Sequence, residues 1–267
     1  MMLGARTGAW AKSGSPTPPA YGGLCFTAEA ANSSVQLTAV GSAPAVTLIK
    51  SFDGVNWEDY TVGEVIDLPS VGDYVYFASG EGGNNAFGAS TSAYHKFVIN
   101  GLVAASGDIT SLRRFDLEQT TLASNCYNSM FRGCTGLTSA PELPATTLAT
   151  YCYNSMFNGC TGLTSAPELP ATTLAVSCYN SMFNGCTGLT SAPELPATTL
   201  ANLCYSRMFY GCKNLSIIKV HFTAWGAQTN NWVSNVSPTG TFYKPSALPE
   251  GFGAGKIPTG WTVVNID

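Results

Sequence analysis

The sequence CYNSMFNGCTGLTSAPELPATTLAVS at residues 152–177 occurs three times in succession with almost no change. Residues 126–151 differ from it at three positions, and residues 178–203 differ at two. A half copy precedes this block at residues 120–123, and a degenerate fourth copy begins at Cys204. Self-similarity at a fixed period indicates a stacked repeat array, because a single short copy cannot bury its apolar side chains alone.

Each copy carries apolar residues at the spacing typical of one helix face. In the second copy these residues are Leu148, Ala149, Cys152, Tyr153, Met156 and Phe157. The pattern predicts one short helix per copy, with Thr146 as its N-cap and Gly159 at its end. Pro167 and Pro170 keep the rest of the copy extended, which predicts a short strand.

Residues 156–165, Met-Phe-Asn-Gly-Cys-Thr-Gly-Leu-Thr-Ser, resemble the leucine-rich repeats of the BspA-like bacterial surface protein family. The pattern apolar-Phe-x-x-Cys-x-x-Leu is met in all four copies. The 26-residue period is longer than is usual in that family, and Pro-Glu-Leu-Pro replaces its Ile-x-Ile-Pro. The resemblance implies a leucine-rich-repeat solenoid, with a short strand plus a helix per repeat, over residues 111–222.

The flanking regions predict two further units. Residues 22–110 alternate between apolar and polar side chains and contain turn signals, which favours an all-β, sandwich-like domain. The expected strands are Leu24–Thr27, Ser34–Val40, Val46–Phe52, Tyr74–Phe77 and Lys96–Ile99. Residues 223–267 hold three tryptophans and end in a strand-like run, Trp261–Ile266, so we expect a C-terminal cap. With helices in the repeats, the predicted fold class is α+β.

The two termini resemble segments of predicted phage and prophage tail or fibre proteins of gut Bacteroidales. The resemblance is carried by residues 2–12, MLGARTGAWAK, and by residues 257–267, IPTGWTVVNID. It implies that residues 1–21 form an extended anchor to other virion proteins, with Arg6, Trp10 and Lys12 as the anchoring side chains. We therefore expect a virion protein that is assembled in the bacterial cytoplasm and forms a homo-oligomer. The absence of a signal peptide h-region agrees with it.

Composition excludes several function classes. Charged residues make up only 10% of the chain, so the surface is mostly Ser, Thr, Asn and Gly. The twelve Lys and Arg are scattered, which argues against nucleic-acid binding. No apolar run is long enough to span a bilayer, so membrane insertion is not expected.

The sequence offers little catalytic chemistry. Of its two histidines, neither His95 nor His221 lies near a nucleophile motif or a metal-type spacing, and no phosphate-binding glycine loop is present. We therefore expect no enzymatic activity and no cofactor or metal. Eight of the nine cysteines follow the repeat as two columns. Buried free thiols are the favoured interpretation, with disulfides and zinc as alternatives.

Columns of equivalent residues in the repeats form the candidate ligand-binding face. The candidate residues are Asn128, Asn154, Asn180, Tyr127, Tyr153, Tyr179, Glu142, Glu168 and Glu194. Amides and hydroxyls hydrogen-bond sugars, and tyrosine rings stack on them. The alternatives are that the tyrosines belong to the core and that the glutamates form a solvated row or a Ca²⁺ site. Residues 51–57 also resemble a shortened Asp-box, although a simple Asp-Gly hairpin explains them.

These observations predict a non-enzymatic phage or prophage accessory or fibre protein. Its repeats would bind a glycan or protein on the host surface, and many copies on one particle would raise avidity. The alternatives are a BspA-like adhesin on the bacterial cell surface and a purely structural virion decoration protein.

Overall fold

A computed structural model describes residues 21–116 and 120–267. Its strands are β1 (Cys25–Ala28), β2 (Ser33–Val40), β3 (Leu48–Ser51), β4 (Glu58–Tyr60), β5 (Val65–Leu68), β6 (Tyr74–Ser79), β7 (Gly88–Ser90), β8 (Ala93–Asn100), β9 (Val103–Ser106), β10 (Leu137–Ser139), β11 (Ile217–Lys219), β12 (Thr241–Lys244) and β13 (Thr262–Asn265). Two short 3₁₀ helices, Ile109–Leu112 and Ala227–Thr229, are the only helical elements of these residues. No helix in these two ranges is long and apolar enough to cross a bilayer.

The N-terminal region contains two sheets that share one core. One sheet has the strand order β10-β9-β1-β6-β3-β4, and the other has the order β5-β2-β8-β7. Phe97 of the second sheet lies 4.7 Å from Phe26 and 5.6 Å from Phe77 of the first, measured between ring centroids. All three side chains are buried. Two β-sheets around a common core are consistent with the predicted β-sandwich.

The strands expected in this region are confirmed, with small shifts of their ends, as β1, β2, β3, β6 and β8. Four short strands, β4, β5, β7 and β9, have no counterpart in the prediction. Their sequences are only three or four residues long and several are half exposed, so they carry little periodicity.

The first repeat is continuous with the N-terminal sheets. Strand β10 belongs to the first repeat, yet it pairs in parallel with β9. The N–H of Phe97 donates to the carbonyl of Met130 at 2.7 Å, and that of Phe87 donates to Cys126 at 2.8 Å. The N-terminal region therefore stacks on the repeats across the predicted boundary at residues 110/111.

Every copy of the repeat contains a chain of overlapping four-residue turns, here called the turn ladder. It comprises residues 123–134, 149–160, 175–186 and 201–212. In each coil the backbone N–H groups of the even-numbered residues donate to the carbonyl three residues back and so close a turn, as from Cys152 to Ala149 at 3.2 Å. The intervening N–H groups donate to the next coil, as from Tyr153 to Cys178 at 3.0 Å. Half of the donors thus remain within a coil and half join neighbouring coils.

Every fourth residue of the turn ladder has a left-handed backbone. In the second copy these are Tyr151 (φ 58°), Ser155 (φ 54°) and Gly159 (φ 79°). The same positions have positive φ in all four copies. Such a conformation costs a non-glycine residue about 1–2 kcal/mol. The hydrogen bonds to the next coil and the burial of the apolar side chains offset that cost.

The predicted α+β class and its leucine-rich-repeat solenoid, with a helix in each repeat, are therefore wrong. The described part of the chain is almost entirely strand and turn, so Thr146 caps no helix and Gly159 ends none. The reason lies in the period. Left-handed residues recur every four positions, so the turn ladder buries Cys152, Tyr153 and Met156 at nearly the spacing of a 3.6-residue helix.

Two aromatic columns run through the core of the array, one of phenylalanines and one formed by Tyr127, Tyr153, Tyr179 and Tyr205. Rings of Phe131, Phe157, Phe183 and Phe209 stack at centroid distances of 5.4–5.8 Å with interplanar angles of 8° or less. Phe97 extends this column into the N-terminal sheets at 5.4 Å. In-register stacking of identical copies is what places these rings face to face.

The C-terminal region continues the stack with degenerate coils. Strands β11, β12 and β13 pair in parallel, one from each successive coil. Trp232 closes both aromatic columns, at 6.1 Å from Phe209 and 6.4 Å from Tyr205. Its indole N–H donates to the carbonyl of Lys256 at 2.8 Å. Residues 223–267 thus cover the end of the array.

Substitution at Ser155 distinguishes the turn ladder from a helix. At φ 54° glycine is tolerated and a β-branched residue is strained. We expect Ser155→Val to lower the free energy of unfolding by about 1–2 kcal/mol relative to Ser155→Gly. In a helix the order would be reversed, because glycine has the lower helix propensity. Urea denaturation of both variants measures the difference.

The same pair of substitutions at Ser165 is the control, because this exposed residue lies outside the left-handed positions. There glycine should have no advantage over valine. A Ser155→Gly variant less stable than Ser155→Val would contradict the turn ladder.

Candidate functional site

The tyrosines proposed to stack on sugars lie in the core. Tyr127, Tyr153 and Tyr179 are at most 1% exposed, and their rings stack on one another at 5.8 and 5.9 Å. Burial raises the pKa of all three phenols well above 10. Since the rings cannot be reached from solvent, these residues are core residues, which was the alternative interpretation.

The asparagine column is also mostly withdrawn from solvent. Asn128 is fully buried, and its amide donates to the carbonyl of Ser90 at 3.0 Å. Asn154 is buried, whereas Asn180 is half-buried and its side-chain oxygen accepts from Ser181 at 3.0 Å. The first two amides therefore serve the packing of the coils, and only Asn180 keeps partial access.

The glutamate column lies on the surface. Glu142, Glu168 and Glu194 are all exposed. Glu194 accepts from Lys219 at 2.9 Å and from His221 at 2.6 Å. The hydrogen bond from Lys219, followed by that from His221, lowers the pKa of Glu194. The glutamate column is thus a row of solvent-exposed side chains. Within residues 21–116 and 120–267, no group of three or more acidic, His or Cys side chains is placed to hold a metal ion.

The cysteines are free and buried in both columns. Cys160 donates its thiol to the carbonyl of Phe131 in the preceding coil at 3.0 Å, and Cys186 does the same to Phe157. Burial raises the pKa of Cys152 to about 12. The thiols are therefore neutral at physiological pH and act as apolar packing groups. Those of the second column, Cys134, Cys160, Cys186 and Cys212, each also donate one weak hydrogen bond to a backbone carbonyl.

The hairpin at residues 51–57 forms as an Asp-Gly turn between β3 and β4. Asp53 accepts from the N–H groups of Val55 and Asn56 at 2.8 and 2.7 Å. Trp57 leaves the turn and packs edge-on against Tyr21 at 4.9 Å. The predicted anchor side chains Arg6, Trp10 and Lys12 lie outside the described residues.

One regular surface remains, here called the threonine ladder. Its members are Thr120, Thr121, Thr146, Thr147, Thr172, Thr173, Thr198 and Thr199. All eight are exposed. Parallel bridges join Thr121 to Thr147, Thr147 to Thr173 and Thr173 to Thr199, so the second threonine of each pair stands directly above that of the preceding coil. Adjacent paired strands are separated by about 4.8 Å, which sets the spacing of the threonines.

Sequence reasoning noted these threonines but assigned Thr146 to a helix cap. The prediction also did not consider Arg207 and Tyr210, two of the exposed substitutions by which the fourth copy departs from the others. Two features of the sequence pointed to these residues. The threonine pair occupies the same position in every copy, and Arg207 is the one charged residue in a column that otherwise contains serine.

Comparison of the chain with protein-family models, with curated proteins and with solved structures finds no match. The resemblances to BspA-like proteins and to phage tail or fibre proteins therefore stay predictions.

Proposed function

We propose that this chain is a non-enzymatic binding protein of a phage or prophage particle, and that its threonine ladder binds a neutral glycan on the host surface. The observation that carries the binding proposal is the ladder itself. It presents two exposed hydroxyls per coil, in register over four coils and without a charged residue among them.

A glycan fits this surface better than a protein ligand does. Extended polysaccharides repeat one sugar at a spacing close to that of paired strands, so successive hydroxyls can meet successive sugars. Threonine supplies one donor and two acceptor positions together with a methyl group, which suits the mixed polar and apolar face of a sugar. Each single contact is weak, but the ladder repeats it, and several copies on a particle repeat it further.

The placement on a particle is supported by the resemblance of residues 2–12 and 257–267 to phage tail and fibre proteins. A BspA-like adhesin would instead present the same ladder on the bacterial envelope. A decoration protein would bury the ladder against neighbouring subunits and would bind no glycan.

The triple variant Thr147→Val, Thr173→Val and Thr199→Val tests the ladder. Valine keeps the shape and strand preference of threonine and removes only the hydroxyl. Each lost hydrogen bond contributes about 0.5–1.5 kcal/mol, so the three together should weaken binding by a factor of about ten or more. Binding is measured with the full chain on an array of neutral polysaccharides.

The matched control is Thr164→Val with Thr190→Val, two exposed threonines on the extended segment of the repeats. These should leave binding unchanged. Equal loss in both variants, or unchanged binding of the triple variant, would contradict the proposed role of the ladder.

Immunogold electron microscopy tests the placement, with an antibody raised against residues 22–110 and a host culture that carries the gene. We expect gold on the particles and none in a strain from which the gene is deleted. Labelling of cell envelopes, with bare particles, would overturn the virion assignment and favour the adhesin.

A further inference from the structure

A polar cleft lies where the fourth copy of the repeat meets the third copy and the degenerate coil that follows. The cleft has a volume of about 670 Å³ and is lined by Asn184, Arg207, Tyr210, Asn231, Ser234 and Asn235. We call it the Arg207 cleft. Its lining comes from the third and fourth copies of the repeat and from the degenerate coil that follows them.

Two substitutions distinguish the cleft from the equivalent surface of the other coils. Arg207 stands where Ser129, Ser155 and Ser181 stand in the first three copies. Tyr210 takes the position of Asn158 and Asn184 in the second and third copies. Both side chains are exposed, and Tyr210 is 39% exposed. No other copy combines an arginine and a tyrosine at these two positions.

Arg207 carries a charge that the turn ladder does not balance. The four turn-ladder segments, together with residues 226–236, contain no Asp or Glu. The ion pairs found in the described part of the chain involve other cations, such as Lys50 and Lys219, and not Arg207. Its backbone is also left-handed, with φ 53°, a conformation that is uncommon for residues other than glycine. An exposed, unpaired guanidinium is therefore held beside an exposed aromatic ring and several carboxamides.

We propose that the Arg207 cleft binds an acidic sugar residue, whose carboxylate pairs with Arg207 and whose ring packs against Tyr210. A guanidinium offers two parallel N–H donors that match a planar carboxylate. A tyrosine ring provides a flat apolar surface with a polar tip.

The amides of Asn184, Asn231 and Asn235 can both donate to and accept from sugar hydroxyls. One guanidinium balances one negative charge, which fits a uronic or sialic acid. This cleft is separate from the threonine ladder, so either proposal can fail while the other holds.

Isothermal titration calorimetry of the full chain at physiological salt tests the site. The probes are oligomers of galacturonic acid, glucuronic acid and sialic acid, each with its carboxyl-reduced counterpart. We expect at least one acidic oligomer to bind and its reduced form to bind at least tenfold more weakly. Hydrogen bonds to a charged group are stronger than those between neutral groups, so loss of the carboxylate should weaken binding by at least this factor.

Three substitutions return single positions to the residue found in other copies, so each is compatible with the fold. Arg207→Ser should reduce binding at least tenfold, and Tyr210→Asn should also weaken it. Arg132→Asn removes the other arginine of the turn ladder, outside the cleft, and should leave binding unchanged.

Four outcomes would overturn the proposal. The first is that no acidic oligomer binds, and the second is that Arg207→Ser binds as the unaltered chain does. The third is an equal loss in Arg132→Asn, which would show general charge attraction. Equally tight, Arg207-dependent binding of dextran sulfate would also overturn it, since the site would then recognise an anion and not an acidic sugar.

Discussion

The structure of the array depends on the alternation of N–H groups in the turn ladder. One N–H closes a turn within its coil, and the next donates to the neighbouring coil, as Tyr127 does to Cys152 at 2.8 Å. A helix would use all of its interior donors internally and would leave none for a neighbour. In a strand the N–H groups donate to neighbouring strands, but the backbone is extended and does not turn. The ladder does both, at the cost of a left-handed residue at every fourth position.

Because the donors of one coil need acceptors in the next, the ends of the array require partners. At the N-terminal end Phe97 and Phe87 supply donors to the first coil and place their rings at the head of the two aromatic columns. At the C-terminal end the carbonyl of Trp232 accepts from Phe209 at 2.8 Å, and its indole covers both columns. The flanking regions thus continue the hydrogen bonds and ring stacking of the array, although their sequences no longer follow the repeat.

Much of this could be predicted from the sequence, and the failure of the rest has a physical cause. The period, the strands of the N-terminal region and the burial of Cys152, Tyr153, Met156 and Phe157 follow from pattern alone. The backbone that buries them does not, because a four-residue turn period and a 3.6-residue helix bury nearly the same positions over two turns. Asparagine at some left-handed positions, such as Asn125, was a hint, since asparagine accepts that conformation more readily than most residues do.

The candidate site was misjudged for a related reason. A helix would have turned Asn154 towards solvent, away from its apolar face, whereas the turn ladder buries this residue. The surface is left to residues outside the apolar pattern: the paired threonines of the ladder and the two substitutions in the fourth copy, Arg207 and Tyr210. Whether a polar residue can contact a ligand depends on which way its position in the coil faces, and that direction follows from a backbone conformation that the sequence pattern did not reveal.

Hydrogen bonds from the turn ladder join each coil to the next. NMR scalar couplings across hydrogen bonds measure this directly, because they link a donor nitrogen to the acceptor carbonyl carbon. The pair Phe209 and Trp232 is suited to it, because Trp232 has no counterpart in the other copies. We expect a correlation from the nitrogen of Phe209 to the carbonyl carbon of Trp232. A correlation from Phe209 to the carbonyl carbon of Tyr205, four residues back, would show a helix and contradict the account.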